Sequence, residues 1–75
     1  MNAITFEEFE NEVKTAINNR SPYLRPGQAA YNYVYDKFGD IATKSQYKYG
    51  IDCYYKDEII DDFIKKCYEI LSNNE

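Results

Sequence analysis

Apolar residues near the start of the chain recur every three or four positions, which is the spacing of one helical face. This first stripe consists of Phe6, Phe9, Val13, Ala16 and Ile17. Thr5 and Glu8 have the spacing of a capping box, in which each side chain bonds the backbone N–H of the other residue. The pattern therefore predicts a helix from about Phe6 to about Asn19.

A second amphipathic segment is bounded by a proline and a glycine. Pro26 suits the first position of a helix, because that position needs no N–H donor. Gly39 suits the position after the last turn, where a backbone with positive φ is common. The apolar residues of one face are Ala30, Tyr31, Val34 and Phe38. We expect a helix over Pro26–Phe38.

The last amphipathic segment carries most of its acidic residues before its lysines. This order favours a helix, because negative charge stabilises the start of a helix and positive charge its end. The charged residues are Asp57, Glu58, Asp61, Asp62, Lys65 and Lys66. The apolar stripe is Ile60, Phe63, Ile64, Cys67, Ile70 and Leu71. We expect a helix from about Asp57 to near Ser72.

Residues 40–56 fit more than one local structure. Asp40 could cap a short helical turn. Further on, every second residue is apolar or aromatic, as in a short strand or a small hairpin. These alternating residues are Tyr47, Tyr49, Ile51 and Cys53. An irregular aromatic loop fits the same residues equally well.

The predicted fold is mainly α, a compact three-helix domain over residues 1–75. A short β element between the second and third helices is compatible with it. Helices of this length are marginal alone, so the packing of their apolar faces must supply most of the stability. The expected core is Phe6, Phe9, Val13, Ile17, Ala30, Val34, Phe38, Ile60, Phe63, Ile64, Cys67 and Leu71.

Composition and charge narrow the function classes. The 75-residue chain has 9 Lys and Arg against 13 Asp and Glu, which gives a net charge of −4. Proteins that bind the phosphate backbone usually show a basic surface, so a nucleic acid is less favoured as a partner than a protein. The chain has no His, which excludes a His-based catalytic triad and a zinc site that needs His. We therefore expect no enzyme, no catalytic residues, no cofactor and no metal.

The two cysteines, Cys53 and Cys67, are too few for a disulfide-stabilised secreted scaffold. We expect both to be reduced thiols that pack in the core. No stretch has the roughly 20 apolar residues that cross a bilayer, and the first residues do not resemble a signal peptide. These features predict a cytoplasmic protein with no membrane contact.

The segment between the second and third predicted helices is rich in tyrosine and lysine. Tyrosine is frequent in protein interfaces, because it buries a large area at low entropic cost. Tyrosine interleaved with lysine also suits stacking on single-stranded nucleic acid. The candidate contact residues are Tyr47, Lys48, Tyr49, Tyr54, Tyr55 and Lys56, with Lys44 and Arg25 as charged neighbours. The alternative is that some of these rings cover the core and the others are ordinary surface.

Three further features are weaker candidates. Arg20 and Arg25 flank a helix start and could hold an anion, or Arg25 could pair with a carboxylate of a neighbouring helix. A set of carboxylates could bind Ca²⁺ or Mg²⁺, although its spacing is not that of an EF-hand and charges of a first helical turn explain it better. The set is Asp52, Asp57, Glu58, Asp61 and Asp62. Finally, an exposed apolar patch on the first or third helix could pair two copies into a homodimer.

One motif covers the start of the second helix, and another leads into the last helix. They are Arg25-Pro26-Gly27-Gln28-Ala29-Ala30-Tyr31-Asn32-Tyr33 and Gly50-Ile51-Asp52-Cys53-Tyr54-Tyr55-Lys56-Asp57. With the terminal acidic helix, they make residues 5–71 resemble small accessory proteins encoded by bacteriophages and prophages. The resemblance implies a viral protein that acts in the host cytoplasm by binding and inhibiting or redirecting one host protein, such as a component of antiviral defence. A small nucleic-acid-binding regulator that uses residues 44–56, or a self-associating structural subunit, are the alternatives.

Overall fold

The regular structure is helical in a computed structural model of the chain, which describes residues 4–54 and 56–73. Its elements are α1 (Phe6–Asn18), α2 (Pro26–Phe38), α3 (Asp40–Thr43), a π-helical segment (Lys44–Lys48), a 3₁₀ turn (Asp57–Ile59) and α4 (Ile60–Asn73). No strand occurs within the described ranges. The three predicted helices correspond to α1, α2 and α4, and α3 adds a single turn. The fold is therefore an all-α arrangement of four helices.

Local hydrogen bonds explain where the long helices begin. The N–H of Glu8 donates to Thr5 Oγ1 at 3.1 Å, and the N–H of Thr5 donates to the Glu8 carboxylate at 2.9 Å. The predicted capping box is therefore confirmed. At the start of α2, the backbone N–H of Arg25 donates to Gln28 Oε1 at 3.1 Å. Gly39 ends α2 with a φ of 76°, a conformation that glycine adopts at low cost.

The core lies where α1, α2 and α4 meet. Seven residues of the expected core are buried, and they are Phe9, Val13, Ala30, Val34, Phe63, Ile64 and Cys67. The other five are partly buried against them, and they are Phe6, Ile17, Phe38, Ile60 and Leu71. Buried hydrophobic residues outside the expected set are Ala29, Ile41, Ala42, Cys53 and Ile70. Three of these five, Ile41, Ala42 and Cys53, come from the segment between α2 and the 3₁₀ turn, which packs inward.

The short β element that the alternating residues allowed does not form in the described part of residues 46–55. The N–H of Tyr49 instead donates to the Lys44 carbonyl at 3.2 Å, and the N–H of Ile51 to the Ser45 carbonyl at 3.0 Å. An isolated hairpin gains little stability in water, whereas the helical path buries Ile41, Ala42 and Ser45. The cap of α3 also differs from expectation, because its N-cap residue is Gly39 rather than Asp40.

Polar contacts link the long helices at their margins. The Tyr33 hydroxyl donates to Glu12 at 2.8 Å and joins α2 to α1. The Tyr68 hydroxyl of α4 donates to the Ile4 carbonyl at 3.0 Å. The radius of gyration is 11.2 Å, close to the value of about 11 Å for a compact chain of this length. Among the described residues, no helix combines the length and apolar character needed to cross a bilayer.

Candidate functional site

The tyrosines of the described residues divide between packing and exposure. Four of them are partly buried, and they are Tyr31, Tyr33, Tyr54 and Tyr68. The other four have exposed fractions of 92% at Tyr23, 75% at Tyr47, 50% at Tyr35 and 37% at Tyr49. The rings of Tyr31, Tyr33 and Tyr68 pack against the core, whereas an exposed ring fits either a contact surface or ordinary surface. Tyr47 and Tyr49 are the exposed rings within the predicted contact segment, and Tyr23 and Tyr35 lie outside it.

The π-helical segment presents one group of candidate residues beside α4. Lys48 Nζ lies 5.4 Å from the centre of the Tyr49 ring, and Lys66 Nζ lies 4.5 Å from the same centre. Both distances are within the range of a cation–π interaction. Lys66 Nζ also binds Glu69 Oε1 at 2.9 Å. Lys48 and Tyr49 are site residues that the sequence predicts, whereas the sequence indicates only a helix charge pattern for Lys66.

Buried residues hold this segment against α4. Ser45 is fully buried, and its Oγ has no hydrogen-bond partner among the described residues. The Ser45 hydroxyl nevertheless lies close enough to Cys67 to favour the thiolate, although burial dominates and raises the pKa of Cys67 to about 12. The Cys67 thiol also approaches the Ile41 carbonyl at 3.9 Å. The backbone that carries Tyr47, Lys48 and Tyr49 is therefore held in place by the buried residues Ser45 and Cys67.

A second group of candidate residues surrounds the start of α2, where the two motifs meet. A Cβ atom on Gly27 would overlap the carbonyl group of Cys53, so only glycine allows this approach. The N–H of Gly27 donates to Asp57 Oδ1 at 3.3 Å, and the Cys53 thiol donates to the Gly27 carbonyl at 3.6 Å. These contacts bring the start of α2 close to Cys53 and Asp57. Arg25 and Lys56 are both exposed.

Tyr54 belongs to an aromatic row on α2 rather than to the Tyr49 group. Its ring meets the Tyr31 ring edge-on at 5.8 Å, and Tyr31 stacks on Tyr35 at 6.1 Å. The N–H of Tyr54 donates to the carboxylate of Asp52 at 3.0 Å, which fixes the turn before it. Tyr55 lies outside the described residues. The contacts thus join Lys48 and Tyr49 to α4, and Tyr54 to α2.

Most groups in the other candidate sites are engaged within the chain. The guanidinium of Arg20 donates to the carbonyls of Leu24 and Ile17 at 2.9 and 2.8 Å. Asp61 lies 3.5 Å from Lys14, which links α4 to α1. No cluster of three His, Cys, Asp or Glu side chains suited to a metal occurs in the described ranges. The ion pair considered for Arg25 remains a prediction.

Both thiols are packed in the core, as expected. The pKa of Cys53 rises to about 12, mainly because burial disfavours the thiolate and secondarily because Asp52 is negatively charged. The two cysteines are free of disulfide bonds. At neutral pH both are neutral thiols, which makes them poor nucleophiles.

Comparison of the chain with protein-family models, curated proteins and solved structures gives no match. These comparisons therefore assign no function to the chain.

Proposed function

We propose that this chain is a non-enzymatic accessory protein of the bacteriophage type, which binds a host protein in the cytoplasm and inhibits or redirects it. The observation that carries the proposal is the exposure of Tyr47 and Tyr49 on either side of Lys48. The resemblance of the two motifs to phage and prophage accessory proteins suggests the host context. A component of antiviral defence is the first candidate for the partner.

The contact surface is centred on Tyr47, Lys48 and Tyr49, with the Arg25, Tyr54, Tyr55 and Lys56 region as its second part. Tyr47 is three-quarters exposed although it follows a buried stretch of chain. An interface gains much of its energy from a few aromatic residues, each contributing on the order of 2 kcal/mol or more when it is an anchor. Two neighbouring tyrosines on a fixed backbone provide such anchors at low entropic cost.

A comparison of tyrosine variants tests this surface. The tagged full chain and its Tyr47→Ala variant are used to capture partners from host lysate at low and moderate salt. Loss of an aromatic anchor should weaken capture of the dominant protein at least about tenfold, which corresponds to about 1.4 kcal/mol. Tyr23→Ala is the matched control, because Tyr23 is exposed but lies in the turn between α1 and α2. We expect the control to bind like the wild type.

Three results would contradict the proposal. Equal capture by wild type and Tyr47→Ala would remove Tyr47 from the interface. Capture of nucleic acid that is lost steeply with salt would favour the regulator, because phosphate contacts release counterions. Capture of no host protein, together with recovery of untagged chain added to the lysate, would favour a self-associating subunit.

A further inference from the structure

A groove of about 330 Å³ lies between the end of α1 and the 3₁₀ turn that leads into α4. This volume is within the range of about 300–1,000 Å³ that is typical of ligand sites. Two isoleucines of its lining, Ile17 and Ile60, are partly buried against the core. The charged residues of its lining are all exposed, and they are Lys14, Asp57, Glu58 and Asp61. We call this surface the acidic groove.

The charges of the acidic groove do not balance. Three carboxylates face one ammonium group, which gives a net charge of −2. That ammonium group, Lys14 Nζ, already lies 3.4 Å from Glu10 and 3.5 Å from Asp61. The hydrogen bond to Glu10 and the negative charge of Asp61 raise the pKa of Lys14. Lys14 is therefore shared between these two carboxylates, and the groove keeps an excess of negative charge.

Glu58 is the carboxylate that is open to a ligand. Its side chain is exposed and makes no hydrogen bond or ion pair with any residue that the structure describes. The neighbouring Asp57 is held in position, because its Oδ1 accepts the N–H of Gly27 at 3.3 Å. The groove thus presents an unpaired carboxylate next to an anchored one, beside the apolar surface of Ile17 and Ile60.

We infer that the acidic groove binds an arginine side chain from a basic segment of a partner protein. The guanidinium pairs with Glu58, since its planar array of N–H donors matches a carboxylate. The aliphatic stem of the arginine packs on Ile17 and Ile60, because long cationic side chains cover apolar surface while their charge stays in water. This inference is independent of the proposed function, which depends on Tyr47 and its neighbours.

The charge of the groove favours this partner over other ligand classes. A nucleic acid or an anionic membrane would be repelled by the excess carboxylates. A Ca²⁺ or Mg²⁺ ion gathers several oxygen ligands around one point, and the described residues contain no group of three side chains suited to a metal. An arginine needs one carboxylate and an apolar surface for its stem, and the acidic groove offers both.

Amide chemical shifts of the isotope-labelled full chain provide the test. The probe is a short peptide of alternating arginine and alanine, and a peptide with citrulline in place of arginine is the control of equal shape without charge. We expect the arginine peptide to shift the amides of Asn18, Glu58 and Asp61 in a saturable manner, because all three residues line the groove.

Replacement of the unpaired carboxylate shows whether the groove itself binds the peptide. Glu58→Gln should weaken binding about threefold, which corresponds to about 0.65 kcal/mol and is in the range measured for one exposed ion pair. Glu7→Gln is the matched control, because it changes the net charge equally but lies in the exposed first turn of α1. We expect Glu7→Gln and Tyr47→Ala to bind the peptide like the wild type.

Equal affinity of the wild type and Glu58→Gln would overturn the inference, as would equal binding of the citrulline peptide. An equal loss in Glu7→Gln would also overturn it, because the attraction would then come from the whole chain. Saturable shifts of the same amides by Mg²⁺ alone, with none by the peptide, would assign the groove to a metal. If Tyr47→Ala loses a captured host protein but the arginine peptide does not bind the groove, this inference fails and the proposed function stands.

Discussion

Gly27 lies so close to the carbonyl group of Cys53 that no side chain fits between them. Gly27 is in the first turn of α2, where alanine would ordinarily be the better helix former. The carbonyl of Cys53 occupies the place of its missing Cβ. Tertiary contact therefore outweighs helix propensity at this residue, and it explains why a glycine follows Pro26.

Replacement of Gly27 by alanine should lower the free energy of unfolding by about 1–3 kcal/mol, because the added methyl group forces the loop at Cys53 to move. Urea denaturation followed by circular dichroism measures the loss. Gly50→Ala is the comparison, because a Cβ at Gly50 meets open space and suffers only from the φ of 72°. Its cost should be smaller, about 1 kcal/mol. A Gly27→Ala variant as stable as the wild type would contradict the close approach.

At the level of elements, the ends of the helices follow from local hydrogen bonds. The reciprocal bonds between Thr5 and Glu8 satisfy two donors that the first turn of α1 would otherwise leave open. The start of α2 has a bond of the same type between Arg25 and Gln28. Each of these bonds joins residues three positions apart, so a local sequence pattern marks the start of each helix.

Removal of the N-cap side chain of α1 tests how much this capping box contributes to stability. Thr5→Ala removes the acceptor of the Glu8 N–H and should destabilise the chain by about 1 kcal/mol. The change appears as a lower midpoint in thermal or urea unfolding. Thr15→Ala serves as the control, because Thr15 is exposed within α1 and alanine suits a helix interior. A control variant that loses as much stability as Thr5→Ala would argue against the cap as the cause.

Local sequence patterns predict α1 but do not predict the π-helical segment. Caps and apolar spacing are local signals, so the bounds of α1 and α2 could be predicted. The sequence predicts the last helix from about Asp57, but Asp57–Ile59 form a 3₁₀ turn and α4 begins at Ile60. The bond from Tyr49 to Lys44 spans five residues and depends on the burial of Ser45 against α4, which no local pattern encodes. For the same reason, Lys48 and Tyr49 could be singled out as site residues, whereas Lys66 joins them only after α4 has docked.

At the scale of the whole molecule, three side chains have a pKa above the ordinary value of their type. They are Tyr33, Cys53 and Cys67. The pKa of Tyr33 rises to about 12, first because of burial and then because its hydroxyl donates to Glu12. Burial likewise raises the pKa of both Cys53 and Cys67 to about 12 from an ordinary value of 9.0. These groups lie in three different elements, so their effects on stability combine in the fold as a whole.

Stability should therefore fall as the solution becomes alkaline. Below about pH 9 all three groups are protonated in both the folded and the unfolded chain, and their stabilisation is fully present. Between about pH 9 and 12 the unfolded chain releases protons first, so the free energy of unfolding decreases. Urea midpoints across this range measure the decrease. Tyr33→Phe should flatten the profile above pH 10, and an unchanged profile would contradict a raised pKa at Tyr33.

Because both thiols are buried, the rate at which each one reacts can report local opening of the native protein. Cys53 precedes the last helix and Cys67 lies within it, and each is almost completely shielded from solvent. A thiol reagent can modify either sulfur only when the structure around it opens. Faster labelling of Cys53 would then reveal a partial opening around Cys53 that leaves α4 in place. Equal rates would mean that the backbone at Cys53 and α4 separate from the core in one step.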